Sequence, residues 1–157
     1  MTADEARRIV ADVPDPEIPV VTIAELGILR DVRIEAGTVV VTITPTYSGC
    51  PAMDAIRAEI RARLDEHGVA DVDVRTVLSP AWTTDWLTDE ARRKLSAYGI
   101  APPAPRAAGS PLLQLGVCCP QCGSFDTRER SRFGSTACQS QYVCRSCLEP
   151  FDHFKAH

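Results

Sequence analysis

Two groups of residues in this chain have the types and spacing that chemistry needs. The first is a pair of C-x2-C knuckles, Cys119-Pro-Gln-Cys122 and Cys144-Arg-Ser-Cys147, with 21 residues between them. Each knuckle turns two sulfurs toward one point, and two knuckles complete a tetrahedron. The gap lies just beyond the usual interval of a four-cysteine zinc site. The expected occupant is a structural zinc, because four thiolates leave no open position for catalysis. A rubredoxin-like iron would use the same sulfur geometry. Cys118 competes with Cys119, but its C-x3-C spacing fits a knuckle less well. Cys138 is left over.

The second group centres on Cys50, in the stretch Thr44 to Asp54, TPTYSGCPAMD. A β-rich run, Thr38 to Thr44, precedes it, and a helical pattern with Met53, Ile56, Ile60 and Leu64 on one face follows. Pro51 suits the first position of a helix. The sequence therefore places a thiol at a helix mouth, where free N–H groups and the dipole are expected to lower its pKa. The alternative is a buried structural cysteine at a strand–helix corner. Asp15 and Glu17, in a proline-punctuated segment, are candidate carboxylates for the same site, or members of a solvated loop.

The elements that must position these residues can be read in order. Thr2 to Glu5 has the form of a capping box, and a helix is expected over residues 3–12. Pro14, Pro16 and Pro19 then force an extended segment. Residues 27–34 and 38–44 read as an antiparallel hairpin closed by Glu35-Ala-Gly37. A helix over 51–66 ends near His67-Gly68. Residues 71–78 form a third strand, set parallel to the second by the helical crossover. Trp82 and Trp86 read as core anchors, and Thr88 opens a last helix that Gly99 ends. The order α-β-β-α-β-α predicts a small α/β (α+β) sandwich with a three-stranded mixed sheet, followed by a four-cysteine zinc ribbon. The boundaries are 1–100 for the sandwich, 101–116 for a Pro-rich linker and 117–157 for the ribbon. Phe125, Phe133, Tyr142 and Val143 are available to cover the metal. So few residues cannot bury much core, so the metal is expected to hold the ribbon together.

Composition narrows the function classes. Seven cysteines clustered toward one end suit metal or redox chemistry in a reducing compartment, and the expected location is cytoplasmic. The formal net charge is −4: residues 1–117 carry 12 Lys+Arg against 17 Asp+Glu, residues 118–157 carry 5 against 4. That is no nucleic-acid footprint. No apolar run is long enough for a membrane span, and the first residues lack a signal-peptide core. With three histidines and no carboxylate–histidine pattern, an oxygenase centre would be hard to build.

Asp15-Pro-Glu-Ile-Pro-Val-Val21, Glu25-Leu-Gly27 and Ser48-Gly-Cys-Pro51 resemble the metal–sulfur cluster assembly domain of SufT-like proteins and their eukaryotic cytosolic counterpart, over about residues 3–100. Glu25 stands where that family has Asp. Ser79-Pro-Ala-Trp-Thr-Thr-Asp-Trp86, Tyr98-Gly-Ile-Ala-Pro-Pro103, Phe133-Gly-Ser-Thr-Ala-Cys138 and Cys147-Leu-Glu-Pro-Phe151 extend the likeness. With them, nearly the whole chain resembles the D-subunit family of bacterial phenylacetyl-CoA epoxidase systems. The resemblance implies a non-catalytic accessory component in phenylacetate catabolism. It would assist assembly or delivery of iron or an iron–sulfur cluster to the oxygenase or reductase component, with the cargo held transiently at Cys50. A single thiolate is too few for a cluster, so a client or a second copy, making a homo-oligomer, would supply the rest. The alternative is a structural adaptor that docks the two components. A thiol enzyme of thioredoxin type would want a second cysteine at residue 53, which is Met53.

Overall fold

The computed structural model describes residues 1–104 and 116–156, which fall into two compact units, Met1–Trp82 and Thr83–His157. In the first, helix α1 (Ala3–Ala11) opens with the expected capping box. The Thr2 hydroxyl accepts the Glu5 N–H (3.2 Å), and the Glu5 carboxylate accepts the Thr2 N–H (2.7 Å). Ala6 and Val10 face the core. The proline segment then folds back, with a bridge between Pro14 and Thr22. Strands β1 (Leu29–Glu35) and β2 (Thr38–Ile43) pair antiparallel. Ala36 (φ 50°) and Gly37 (φ 92°) make the turn, both in the left-handed region that a two-residue hairpin loop needs.

Helix α2 (Ala52–Glu66) buries the anticipated face of Met53, Ile56, Ile60 and Leu64. The chain leaves it through Gly68 and returns as β3 (Val72–Thr76), parallel to β2. The sheet order is β1-β2-β3, a mixed sheet as expected. Val39, Val40, Val41 and Ile43 of the central strand are all buried. Trp82 is an anchor: it is buried and its indole N–H donates to the Leu26 carbonyl at 2.8 Å.

In the second unit, a 3-10 turn (Thr84–Trp86) leads into α3 (Asp89–Tyr98). Thr88 caps its start, and Gly99, left-handed at φ 93°, ends it. The sequence assigns α3 to the first domain, through residue 100. The compact units divide at Trp82 instead. The reason is non-local: Ile100–Ala101 forms strand β4, which pairs parallel with β7 (Pro150–Phe154). The Arg92 guanidinium also donates to the carbonyls of Thr84 and Pro103. Strands β5 (Thr127–Ser131) and β6 (Gln139–Cys144) complete a sheet of order β4-β7-β6-β5. The linker expected over 101–116 begins inside β4, and its residues 105–115 lie outside the described residues. Among the described residues, no helix is long and apolar enough to cross a membrane.

Candidate functional site

The two knuckles are built alike. In the first, the Gly123 N–H donates to the Cys119 carbonyl (2.9 Å), and the Cys119 N–H to the Ser124 carbonyl (2.9 Å). In the second, the Leu148 N–H donates to the Cys144 carbonyl (3.0 Å), and the Cys144 N–H to the Glu149 carbonyl (3.0 Å). The fifth residue of each turn is left-handed: Gly123 at φ 76° and Leu148 at φ 67°. The Ser124 and Ser146 hydroxyls join the two turns at 2.8 Å.

The four knuckle sulfurs, of Cys119, Cys122, Cys144 and Cys147, lie within 4.8 Å of one another. Cys119 Sγ is 3.8 Å from Cys147 Sγ, and Cys122 Sγ is 3.5 Å from Cys144 Sγ. A tetrahedron of thiolates around zinc has edges of about 3.8 Å, from a Zn–S bond of about 2.3 Å. The donor set and spacing fit zinc. The electrostatics point the same way. A Cys147 N–H aimed at its sulfur, more than any other group, holds Cys144 down to about 6. Cys147 receives the Glu149 N–H, but burial and thiol neighbours push it up to about 12. One thiolate forms readily and further ones crowd it, which is the charge a divalent cation would neutralise. Cys118 lies outside the group, donating to the Gly123 carbonyl at 3.4 Å, and Cys138 is buried beside the Thr136 hydroxyl at 3.1 Å.

A small core of Ala101, Cys119, Cys144 and Phe151 surrounds these sulfurs, with Val117, Tyr142 and Cys147 packed against it. Tyr142 stacks on Phe151 with ring centroids 5.8 Å apart. Phe125 and Phe133 do not cover the metal position as expected; they are 59% and 76% exposed. Both lie just outside the ends of β5, where no ladder partner directs them inward.

The second site is the thiol of Cys50, half-buried ahead of α2. Asp15 is buried, and its Oδ1 accepts the N–H groups of Glu17 (2.9 Å) and Ile18 (2.8 Å). Burial raises its pKa, and those two N–H groups offset this only in part. The Cys50 thiol receives the Ala52 N–H, as a helix mouth should provide, and a hydrogen bond from Tyr47. Yet its pKa is raised, against the sequence expectation of a lowered one. Burial is the largest cause, and the charges of Glu17 and Asp15 add to it. Asp15, Glu17 and Cys50 thus lie within electrostatic reach of one another, and Cys50 carries its proton at neutral pH.

Tyr47, a hydrogen-bond partner of the Cys50 thiol, and two other residues of the first unit, Arg57 and Thr44, have no signal in the sequence that singles them out. Tyr47 lies within the Thr44–Asp54 stretch but has no pattern that marks it. Arg57 ties the first turn of α2 to the end of β3, with 2.6 Å contacts to Asp54 and to the Thr76 hydroxyl. Thr44, at the end of β2, is 1% exposed and its hydroxyl has no hydrogen-bond partner.

Residues 4–78 match the family described as iron-sulfur cluster assembly protein, and residues 104–155 match the PaaD zinc beta ribbon domain. The chain is 48% identical over 147 residues to an Escherichia coli K12 protein named for a component of 1,2-phenylacetyl-CoA epoxidase, its D subunit. That alignment spans 94% of this chain and 88% of the relative. It is 35% identical over 96 residues to an Fe-S protein maturation auxiliary factor of Porphyromonas gingivalis, covering 60% of this chain and 90% of the relative. Among solved structures, a DUF59 domain of unknown function from Bacillus anthracis superposes with a TM-score of 0.55 at 27% identity. It covers 59% of this chain and 90% of its own.

Proposed function

The chain belongs to the family of phenylacetyl-CoA epoxidase D subunits, and on that premise we propose that it assists assembly or delivery of iron or an iron–sulfur cluster to the reductase or oxygenase component of that system. The observation that carries the reading is Cys50 at the mouth of α2, within reach of the charges of Asp15 and Glu17. The two carboxylates disfavour a bare thiolate and favour an incoming cation. Iron arriving there would displace the thiol proton, so the sulfur is capped until cargo comes. Names of relatives as auxiliary or maturation factors support a non-catalytic role. The setting we assign is the reducing cytoplasm, where free thiols persist. A structural zinc on Cys119, Cys122, Cys144 and Cys147 would hold the ribbon that accompanies this domain.

The test is Cys50→Ser in cells growing on phenylacetate. The fold and ribbon zinc should be unchanged, because serine fills the same space and removes only the soft ligand. The reductase should be poor in its cluster, or the oxygenase poor in iron, and growth should fail. Full growth with fully loaded partners rejects delivery and leaves a structural adaptor.

A further inference from the structure

Strand β5 is the outermost strand of the four-stranded sheet, and among the described residues nothing pairs with its far edge. Edge strands are ordinarily kept from pairing by short length, charged side chains and bulges, and β5 is short, charged and shifted in register. Here Arg128, Glu129 and Arg130 are exposed on the strand and Arg132 follows it, also exposed. Arg128 and Arg130 have no carboxylate partner within ion-pair distance among the described residues. Arg132 reaches Glu129 only at 4.0 Å, while the Tyr142 hydroxyl also donates to Glu129 at 3.4 Å. A register shift between Glu129 and Ser131 leaves Arg130 opposite no residue of β6.

The ends of the strand are what charge protection does not explain. Phe125 precedes it at 59% exposure and Phe133 follows it at 76%. Large exposed aromatics make an edge more adhesive, not less. The Lys155 ammonium lies 5.2 Å from the Phe133 ring centroid and adds positive charge at that end. Arg145 stands 3.8 Å from Asp126 at the other end, both exposed. The edge therefore offers backbone groups, an excess of guanidinium charge and an aromatic anchor at each end.

We propose that the β5 edge is a docking edge for an extended, acidic segment of a partner protein. Main-chain hydrogen bonds would add a strand beyond β5, acidic side chains would meet Arg128 and Arg130, and apolar ones would rest on Phe125 and Phe133. This rests on the reading above only in naming the oxygenase and reductase components as the partners to try. Nucleic acid is disfavoured because the chain carries a net charge of −4.

The experiment uses the full zinc-loaded chain, its Arg128→Glu/Arg130→Glu variant and a Phe125→Ser/Phe133→Ser variant, each checked for zinc content. Binding is measured to purified oxygenase and reductase, to a short fluorescent peptide alternating glutamate and valine, and to a single-stranded oligonucleotide. Expected are binding of the peptide and of one component, weakening at high salt, and a loss of about tenfold or more in the arginine variant. If a component binds and both variants match the wild type within about twofold, the docking edge is overturned while the partner reading survives. If the peptide binds through the arginines and neither component binds, the edge stands and the named partners fall. Arginine-dependent binding of the oligonucleotide without the peptide overturns the acidic segment as occupant. Should Arg128→Glu/Arg130→Glu lose zinc, Arg128→Gln/Arg130→Gln gives the same reading with smaller loss.

Discussion

Cys122 and Cys144 are separated by 22 positions in the chain, yet their sulfurs stand 3.5 Å apart. That is too far for a disulfide and close enough to share one cation. One zinc per chain is expected by elemental analysis of freshly purified protein. Cys144→Ser should bind zinc much more weakly, since it removes both a ligand and the thiol that ionises first. Cys118→Ser should keep full zinc. Equal zinc in Cys144→Ser and wild type would show that another sulfur holds the metal.

Zinc removal should also report which unit owns α3. Its following residues, Ile100 and Ala101, pair with Asp152 and His153 of β7, and Ala101 belongs to the core around Cys119 and Cys144. A strong chelator should raise amide exchange over 89–101 together with 139–154. Residues 38–76 should keep their protection. Continued protection of α3 after full zinc loss would return it to the first domain.

The Cys50 thiol should alkylate slowly at neutral pH, with a rate midpoint above that of an ordinary cysteine, measured by mass-spectrometric mapping of each site. The sign follows from burial, Glu17 and Asp15 all disfavouring the thiolate. Glu17→Gln should speed the reaction near pH 8 by a few-fold, since one repelling charge corresponds to a fraction of a pK unit at partial exposure. A rate faster than that of exposed Cys118 would restore the activated thiol expected of a helix mouth.

His153 gives the ribbon a pH dependence of its own. Burial lowers its pKa from 6.5 to about 4. A folded-state pKa below the unfolded one means stability is present above pH 6.5 and is lost as pH falls toward 4. The unfolded chain takes up the proton first. The full loss is up to about 3 kcal/mol. His153→Gln should flatten that part of the stability profile at matched zinc loading. An unchanged slope would show that zinc release alone accounts for it.

Leu148 occupies the position that Gly123 fills in the first knuckle, is left-handed, and is 75% exposed. A left-handed leucine costs about 1–2 kcal/mol, while glycine gives up about 0.5–1 kcal/mol in chain entropy. Leu148→Gly should therefore leave zinc affinity intact or improved and raise stability by roughly 0.5–1 kcal/mol in denaturant unfolding. A loss of stability would mean that the side chain packs where the structure leaves it exposed.

Much of this is legible from local pattern. A C-x2-C knuckle is closed by hydrogen bonds within six residues, so its spacing alone announces the turn. The capping box at Thr2, the face of α2 and the turn at Gly37 follow from the same short-range rules, and the crossover through α2 sets β3 parallel to β2. Other features have no local signature. Ile100–Ala101 is a strand only because β7 lies beside it, and that pairing moves α3 into the second unit. Phe125 and Phe133, lying between the knuckles, read as cover for the metal, yet their places beyond the ends of β5 leave them in solvent. The thiol of Cys50 has its helix mouth and its N–H from Ala52, as the sequence indicates. Its proton affinity was decided by burial and by carboxylates more than thirty positions away, because a pKa sums charges in space and not along the chain.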